Sequence, residues 1–160
     1  MLTAERVREV LDYNPDTGAL TWRTTTSNRA VAGTLAGYAR KDGRRAVMVD
    51  KRMYWAHRLA WLHVTGEWPR GMVDHIDGDN KNNAIANLRD VNNSVNQQNR
   101  RRAQSNNRLG LLGVKKNGPG FSATIKAGGR KIHLGTWPTP GEAHAAYLAA
   151  KRRLHEGCNI

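Results

Sequence analysis

Four polar residues between positions 74 and 96 have the types and spacing that metal-assisted hydrolysis requires. Asp74 and His75 are adjacent, Asn87 lies twelve residues after His75, and Asn96 lies nine residues further on. An aspartate carboxylate and an asparagine amide oxygen are hard ligands that suit Mg²⁺ or Mn²⁺. A histidine, whose ordinary pKa lies near neutrality, can take a proton from attacking water, and an asparagine can orient its ring. This set predicts hydrolysis of a phosphodiester.

Two short strands and a helix would bring these residues together. The pattern predicts strands at 72–75 and 88–91, and a helix from Asn92 or Asn93 to about Arg102. If the strands pair as a hairpin and the helix packs across them, Asp74 and Asn96 converge on one point, with His75 beside it. The other asparagines of this segment are typical of turns. These are Asn80, Asn82, Asn83, Asn92 and Asn93.

The motifs HRLAW, VDHIDGDNKNN, NLR and N-x-x-N-R stand at 57–61, 73–83, 87–89 and 96–100. In these motifs the segment resembles the HNH nuclease family, also called ββα-metal nucleases, and especially homing endonucleases of the phage type. The resemblance implies that His75 is the general base and Asn87 a structural asparagine of the catalytic set. It also implies that Asp74 and Asn96 bind one divalent ion. Asparagine instead of the family's usual histidine at position 96 disfavours Zn²⁺ or Ni²⁺.

The charge of the chain is large and unevenly distributed. Lys and Arg number 26 against 13 Asp and Glu, giving a net charge of +13. Residues 1–99 hold 14 basic and 11 acidic residues, whereas residues 100–160 hold 12 basic and 2 acidic residues. Such a balance indicates a polyanionic partner, which we expect to be double-stranded DNA. The C-terminal third is therefore expected to hold phosphate.

The motifs GVK, FSATIK, IHLGTW and EAHAAYLAA stand at 113–115, 121–126, 132–137 and 142–150. They resemble the AP2 DNA-binding domain, which implies a three-stranded antiparallel sheet in the major groove, backed by one helix. Strands are predicted at 113–116, 121–126 and 131–135, and a helix after Pro140. One sheet face is expected to carry Lys115, Thr124 or Lys126, Arg130 and His133. The other face is expected to pack on Ala143, Ala146, Tyr147 and Ala150.

Basic and polar side chains in both regions are predicted to contact DNA. They are Arg58, Arg89, Arg100, Arg101, Lys115, Lys116, Thr124, Lys126, Arg130 and His133. Lysine at 115 and 126, where the AP2 family has arginine, favours phosphate binding over reading of bases. Further cations that could touch DNA precede the nuclease segment, namely Arg40, Lys41, Arg44 and Arg45. His57 and His63 flank a predicted helix and are interpreted as packing or DNA-contact residues rather than metal ligands.

These patterns predict an α+β protein with three regions. Residues 1–51 form a helix and a β-rich extension, residues 52–104 the ββα-metal (HNH) nuclease core, and residues 105–160 the AP2-like domain. In the extension, Thr3 can cap a helix with Val7, Val10 and Leu11 on one face. Strands are predicted at 19–23, 46–49 and 52–56, and a helix from 57 to 64 that Gly66 ends.

The cellular setting follows from what the sequence lacks. There is no apolar run long enough for a membrane span, and the one cysteine, Cys158, excludes a disulfide framework within the chain. We expect a cytoplasmic protein of a phage-infected or prophage-carrying bacterium, acting as a monomer or a homodimer.

The function predicted is a metal-dependent DNA endonuclease that nicks or cleaves double-stranded DNA. A DNA-binding regulator with an inactive nuclease core is the alternative from another class. The complete set of Asp74, His75 and Asn96 favours the enzyme. A structure-selective or RNA-directed nuclease is a third interpretation, which the same core could serve.

Overall fold

Small antiparallel sheets and α-helices make up the protein, so the predicted α+β class is confirmed. The computed structural model describes residues 1–99, 103, 107–155 and 158. The chain divides into two units, Met1–Asn93 and Ser94–Ile160. The predicted region boundaries at 52 and 105 stay a prediction. Within the described ranges, no helix is both long and apolar enough to cross a membrane.

The first unit begins with a helix and a run of short strands that share one hydrophobic core. These elements are α1 (Ala4–Val10), β1 (Leu11–Tyr13), β2 (Leu20–Trp22), β3 (Tyr38–Ala39), β4 (Arg45–Val49), β5 (Arg52–Trp55) and α2 (Ala56–Thr65). Helix α1 starts where Thr3 predicts it, because the Thr3 hydroxyl accepts a hydrogen bond from the Arg6 amide at 3.3 Å. Helix α2 ends at Gly66, whose left-handed φ of 83° is the conformation that glycine adopts without strain.

Leu11 corrects the predicted extent of α1. Helical spacing assigns Leu11 to the helix, but it is the first residue of β1 and lies opposite Trp22 of β2. Both side chains are buried in the core of the first unit. Pairing with β2 therefore overrides the local helical pattern at this position.

The sheet of β3, β4 and β5 has one face in the core and one face exposed. Val47 of β4 is buried and the next residue, Met48, is exposed, as the alternation of a strand requires. Asp50 and Lys51 connect β4 to β5 with φ values of 48° and 61°, the left-handed pair that a tight hairpin turn uses. This turn sets the register that places Trp55 at the end of β5, directly before α2.

A two-stranded hairpin and a helix follow α2. Strands β6 (Met72–His75) and β7 (Leu88–Val91) pair antiparallel, and helix α3 (Asn93–Gln98) comes directly after them. The predicted order of strand, strand and helix is confirmed. The helix ends at Gln98, before its predicted end near position 102, and residues 100–102 lie outside the described part of the chain.

The second unit contains the predicted three-stranded sheet and its helix. Its elements after residue 110 are β8 (Val114–Asn117), β9 (Gly120–Ala127), β10 (Arg130–Trp137) and α4 (Pro140–Leu154), with β9 in the centre of the sheet. Their core contains Val114, Ala123, Ile125, Ala143, Tyr147 and Ala150. Three of the four predicted helix residues therefore lie in this core, and Ala146 is only partly buried.

Two local features fix α4 against the sheet. Thr139 and Glu142 form a reciprocal capping box at its start, which satisfies amides that a helix leaves unpaired. Gly113, just before β8, has a φ of 72°, and a Cβ there would lie 2.0 Å from the Tyr147 ring. Only glycine allows this close approach of the backbone to the helix.

Four polar residues of β9 and β10 share the sheet face that points away from the core. Lys131 lies opposite Lys126, and His133 lies opposite Thr124. Directly opposed residues of antiparallel strands lie on the same face. Since Ile125 of β9 is buried in the core, its neighbours Thr124 and Lys126 lie on the other face. Lys115 of β8 opposes Ser122 and belongs to this face as well.

The predicted place of Arg130 is wrong. Arg130 lies opposite Ala127, two residues after Ile125, and by alternation it shares the face of Ile125. Lys131, which lies opposite Lys126, is on the outer face instead of Arg130. The strand also starts one residue earlier than predicted. We call Lys115, Thr124, Lys126, Lys131 and His133 the cationic sheet face.

Candidate active site

The end of β6 holds two adjacent buried polar residues. Asp74 is 8 % exposed and His75 is 5 % exposed. In the hairpin register Asp74 lies opposite Arg89 of β7, and His75 lies opposite Leu88. Buried carboxylates and imidazoles need hydrogen-bond partners, because unpaired polar groups in a protein interior cost free energy. The hydrogen-bond partners of Asp74 and His75 therefore show how each side chain is oriented.

Asp74 is paired with Arg89 across the hairpin. Arg89 Nε and Nη2 donate to Asp74 Oδ2 at 3.1 and 2.9 Å. Side-chain exposure is 23 % for Arg89 and 10 % for Asp74, so the pair is largely screened from solvent. Two donors on one oxygen fix the direction of the carboxylate. The sequence predicts Arg89 as a DNA contact, whereas the structure shows it orienting Asp74.

His75 is held by an asparagine from the loop between β6 and β7. The distance between His75 Nε2 and Asn83 Oδ1 is 2.9 Å, and both side chains are buried. An amide oxygen only accepts hydrogen bonds, so Nε2 carries the proton in this contact. This contact therefore sets the direction of the imidazole ring.

Sequence reasoning missed Asn83. It was one of several asparagines interpreted as turn residues, and nothing in its spacing separates it from Asn80 or Asn82. The asparagine singled out by the resemblance, Asn87, holds the loop. Only the path of the loop decides which amide reaches the imidazole.

Asn87 ties the two ends of this loop together. Its Nδ2 donates to Asp77 Oδ1 at 2.9 Å and to the Asn82 carbonyl at 2.8 Å, while its Oδ1 accepts from the Asp77 amide at 3.0 Å. Burial by itself raises the pKa of Asp77, but hydrogen bonds from the Asp79 amide, Asn82 and Asn87 outweigh it and lower that pKa. The loop that delivers Asn83 is therefore fixed by a network around an ionised carboxylate.

His57, at the start of α2, packs against His75. The two ring centroids are 5.2 Å apart, with the planes at 71°. Burial, and then electrostatic interactions with His75, Arg44 and Arg58, lower the pKa of His57 to about 3. His57 is therefore neutral near pH 7 and supports the His75 ring without carrying a charge. This agrees with the interpretation of His57 as a packing residue.

A family model described as HNH endonuclease matches residues 54–98. This range starts in β5 and contains α2, both strands of the hairpin, and the Asp74–His75 pair. The chain carries an HNH endonuclease domain. The match indicates a nuclease, a hydrolase whose family suggests DNA as the substrate. No curated protein and no solved structure matches the chain.

The arginines predicted to contact DNA from the HNH domain have different surroundings. Arg58 lies over the Trp68 ring at 5.6 Å and donates to the Gly71 carbonyl at 3.4 Å. Arg100 and Arg101 lie outside the described residues. Like Arg89, Arg58 thus has a structural contact within the domain, and its contact with DNA stays a prediction.

The metal ligands predicted for the HNH domain are one aspartate and one asparagine. Across residues 1–99, 103, 107–155 and 158, no group of three or more His, Cys, Asp or Glu side chains could hold a metal ion. The predicted set has a single carboxylate and would not form such a group. Mg²⁺ is commonly held by one or two carboxylates together with substrate phosphates, so the chemistry of Asp74 fits this ion. Asn96 belongs to the second unit, and its convergence with Asp74 stays a prediction.

The predicted DNA contacts of the second unit fall into two groups. Lys115, Thr124, Lys126 and His133 lie on the cationic sheet face. Lys116 lies opposite Phe121, and its Nζ is 4.3 Å from the centre of that ring. Its ammonium also donates to the Pro119 carbonyl at 3.1 Å, a contact that holds the turn between β8 and β9.

Proposed function

We propose that this chain is a metal-dependent endonuclease that hydrolyses phosphodiester bonds in double-stranded DNA, of the homing type known from phages. The observation that carries the proposal is the burial and hydrogen bonding of His75 within the segment that matches the HNH model. It is a buried imidazole beside the Asp74 carboxylate, and Asn83 holds its Nε2 at 2.9 Å. This arrangement gives a proton acceptor of defined orientation next to an oxygen donor suited to a hard cation.

His75 acts as the general base in this proposal. Its imidazole, held by Asn83, takes a proton from a water molecule whose oxygen attacks the phosphorus. The bond between phosphorus and the 3′ oxygen breaks, and that oxygen leaves with the electron pair and takes a proton from solvent. A divalent ion, Mg²⁺ or Mn²⁺, held by Asp74 and Asn96 would neutralise charge on the phosphate and the departing oxygen.

The neighbours of this pair have positioning roles. Arg89 orients Asp74 through both of its bonds to Oδ2, and Asn87 fixes the loop that delivers Asn83. Asn87 therefore acts through Asn83 and not on the substrate. Partners of this kind typically change affinity or activity about 10–100-fold when they are removed.

The second unit is proposed to bind DNA as an AP2-like domain. Lys126 and Lys131 lie directly opposite each other, and both are exposed. Like charges at opposed positions destabilise a sheet, and a bound phosphate would relieve their repulsion. The net charge of residues 100–160 supports the same role, with 12 basic and 2 acidic residues.

Neutralising this opposed pair is expected to weaken DNA binding in a salt-dependent way. Each lost phosphate contact should make the slope of log K against log salt less steep by about 0.9, so Lys126→Gln with Lys131→Gln should change it by nearly two. Salt titrations with a fluorescent duplex measure this slope. Arg153→Gln, an exposed cation at the end of α4, is the matched control. Equal slopes for the double variant and the control would contradict DNA binding through this face.

The setting proposed for the enzyme is the cytoplasm of a phage-infected or prophage-carrying bacterium. The enzyme is proposed to act as a monomer or a homodimer, and this oligomeric state determines whether one strand or both are cut.

Cleavage of plasmid DNA tests the function itself. The protein is expected to convert supercoiled plasmid to nicked or linear DNA with Mg²⁺ or Mn²⁺, and a chelator should stop the reaction. The substrate pool should include DNA that carries candidate target sites, over a range of salt. Protein that binds this DNA but leaves it intact under every metal condition would be the DNA-binding regulator with an inactive core.

A further inference from the structure

Two guanidinium groups lie over one tryptophan ring in the first unit. The Cζ atoms of Arg40 and Arg44 are 5.6 and 5.8 Å from the centre of the Trp55 ring. Both arginine side chains are exposed and Trp55 is half-buried. Cation–π attraction to the ring offsets part of the repulsion between two like charges that share it. An anion bound between them would remove the rest.

The carboxylate of Asp42 compensates little of this positive charge. Asp42 Oδ2 is 3.7 Å from Arg44 Nη1, and both side chains are about half exposed. A surface ion pair of this length contributes little to stability. The pair of arginines therefore keeps most of its positive potential toward solvent.

The neighbouring Arg45 differs from these two arginines in its contacts. Arg45 follows Arg44 directly in sequence, yet its Nη1 donates to the carbonyls of Ala36 and Gly37 at 3.3 and 2.9 Å. Arg45 therefore holds the β3–β4 connection, and its guanidinium is turned toward the backbone. Sequence alone does not distinguish these neighbouring arginines.

Ring contacts connect this arginine pair to the proposed general base. Trp55 stacks on His57 with ring centres 6.4 Å apart and planes at 14°. His57 in turn packs edge-on against His75 at 5.2 Å. A second link runs through the loops, because Asn80 Nδ2 donates to the Asp42 carbonyl at 3.2 Å. The arginine pair is thus attached on two sides to the segment that carries His75 and Asn83.

We propose that Arg40, Arg44 and Trp55 form a phosphate clamp for the DNA strand, near the phosphodiester whose hydrolysis His75 assists. The inference rests on the proposed function, because it takes DNA as the substrate of the HNH domain. A guanidinium fork matches the oxygens of a phosphodiester, and the shared ring holds both groups in place before DNA arrives. The clamp would hold the strand in register with the cleavage centre, which is a positioning role.

Salt-dependent binding of the full chain to duplex DNA, with a chelator present to prevent cleavage, tests this site. Arg40→Gln with Arg44→Gln should lower affinity on the order of tenfold or more at moderate salt, and should reduce the slope of log K against log salt by nearly two. Arg40→Lys with Arg44→Lys keeps the charge and should retain most of the slope. The matched control is Arg29→Gln, which removes an exposed guanidinium elsewhere in the first unit.

The outcomes separate the clamp from the proposed function. A reduced slope in the double glutamine variant supports the clamp, whether or not the wild-type protein cuts DNA. If the wild-type protein fails to cut DNA with every metal ion, only the nuclease proposal is overturned. A double variant that binds with the wild-type affinity and slope overturns the clamp, as does a change no larger than that of Arg29→Gln. Each single glutamine variant should show about half of the change, which guards against misfolding of the double variant.

Discussion

Replacing His75 by alanine is expected to lower the rate of DNA cleavage on the order of 10²–10⁴-fold, the usual cost of losing a general base. DNA binding should be largely retained, because His75 is buried and the cations proposed to hold phosphate lie on other elements. Single-turnover nicking of plasmid measures the rate, and a salt titration measures the binding. His63→Ala is the matched control, since that histidine packs against Tyr13 at 5.7 Å.

Two further measurements separate a chemical from a structural effect of His75. Added imidazole should restore part of the activity of His75→Ala, because a free base can enter the space that the ring leaves. Asn83→Ala should lose about 10–100-fold in rate, since it removes the group that fixes the ring and not the base itself. Unchanged cleavage by His75→Ala would show that another residue is the base.

Asp74→Asn is expected to reduce both metal affinity and cleavage, with a loss of rate on the order of 10²–10³-fold. A cation that stabilises the transition state contributes several kcal/mol, and a neutral amide holds it less well than a carboxylate. The change keeps the size of the side chain, but Arg89 then loses the negative charge that it contacts at 2.9 Å. Asn96→Ala is expected to act in the same direction.

The affinity for the metal ion tests the role of Asp74 independently of DNA cleavage. The full chain is titrated with Mn²⁺, and binding is measured by calorimetry or electron paramagnetic resonance. Asp74→Asn should bind Mn²⁺ more weakly than the wild type does. Asp79→Asn removes an exposed carboxylate from the neighbouring loop and should bind the ion as the wild type does. If Asp74→Asn and Asp79→Asn bind Mn²⁺ equally well, Asp74 is not the ligand.

Much of the local structure follows from the sequence. The strand pair and helix around Asp74 and His75 were predictable because alternation and turn residues act over a few neighbouring positions. The HNH resemblance is confirmed over residues 54–98. The AP2 resemblance and the roles of the site residues stay predictions. Leu11 shows where local patterns fail, because its partner Trp22 lies across a turn that the helical period does not detect.

Charges and spacing likewise predict which regions contact DNA, but they do not give the direction of each side chain. Arg130 and Lys131 are both basic, yet as consecutive residues of β10 they lie on opposite faces of the sheet. In the same way Arg44 points to Trp55 while Arg45 binds backbone carbonyls. Register sets these directions, because successive side chains of a strand alternate between faces.

The sequence by itself determined that an aspartate and a histidine stand together at a strand end, within a basic chain whose residues 54–98 match an HNH endonuclease model. Only the tertiary structure decided that Asn83 holds the His75 ring and that Arg89 is paired with Asp74. Several asparagines and arginines near these positions are chemically equivalent in the sequence. The path of the loop and the register of the hairpin bring one of each to within 3 Å of its partner. Such contacts depend on distances between residues far apart in the chain, which no local pattern encodes.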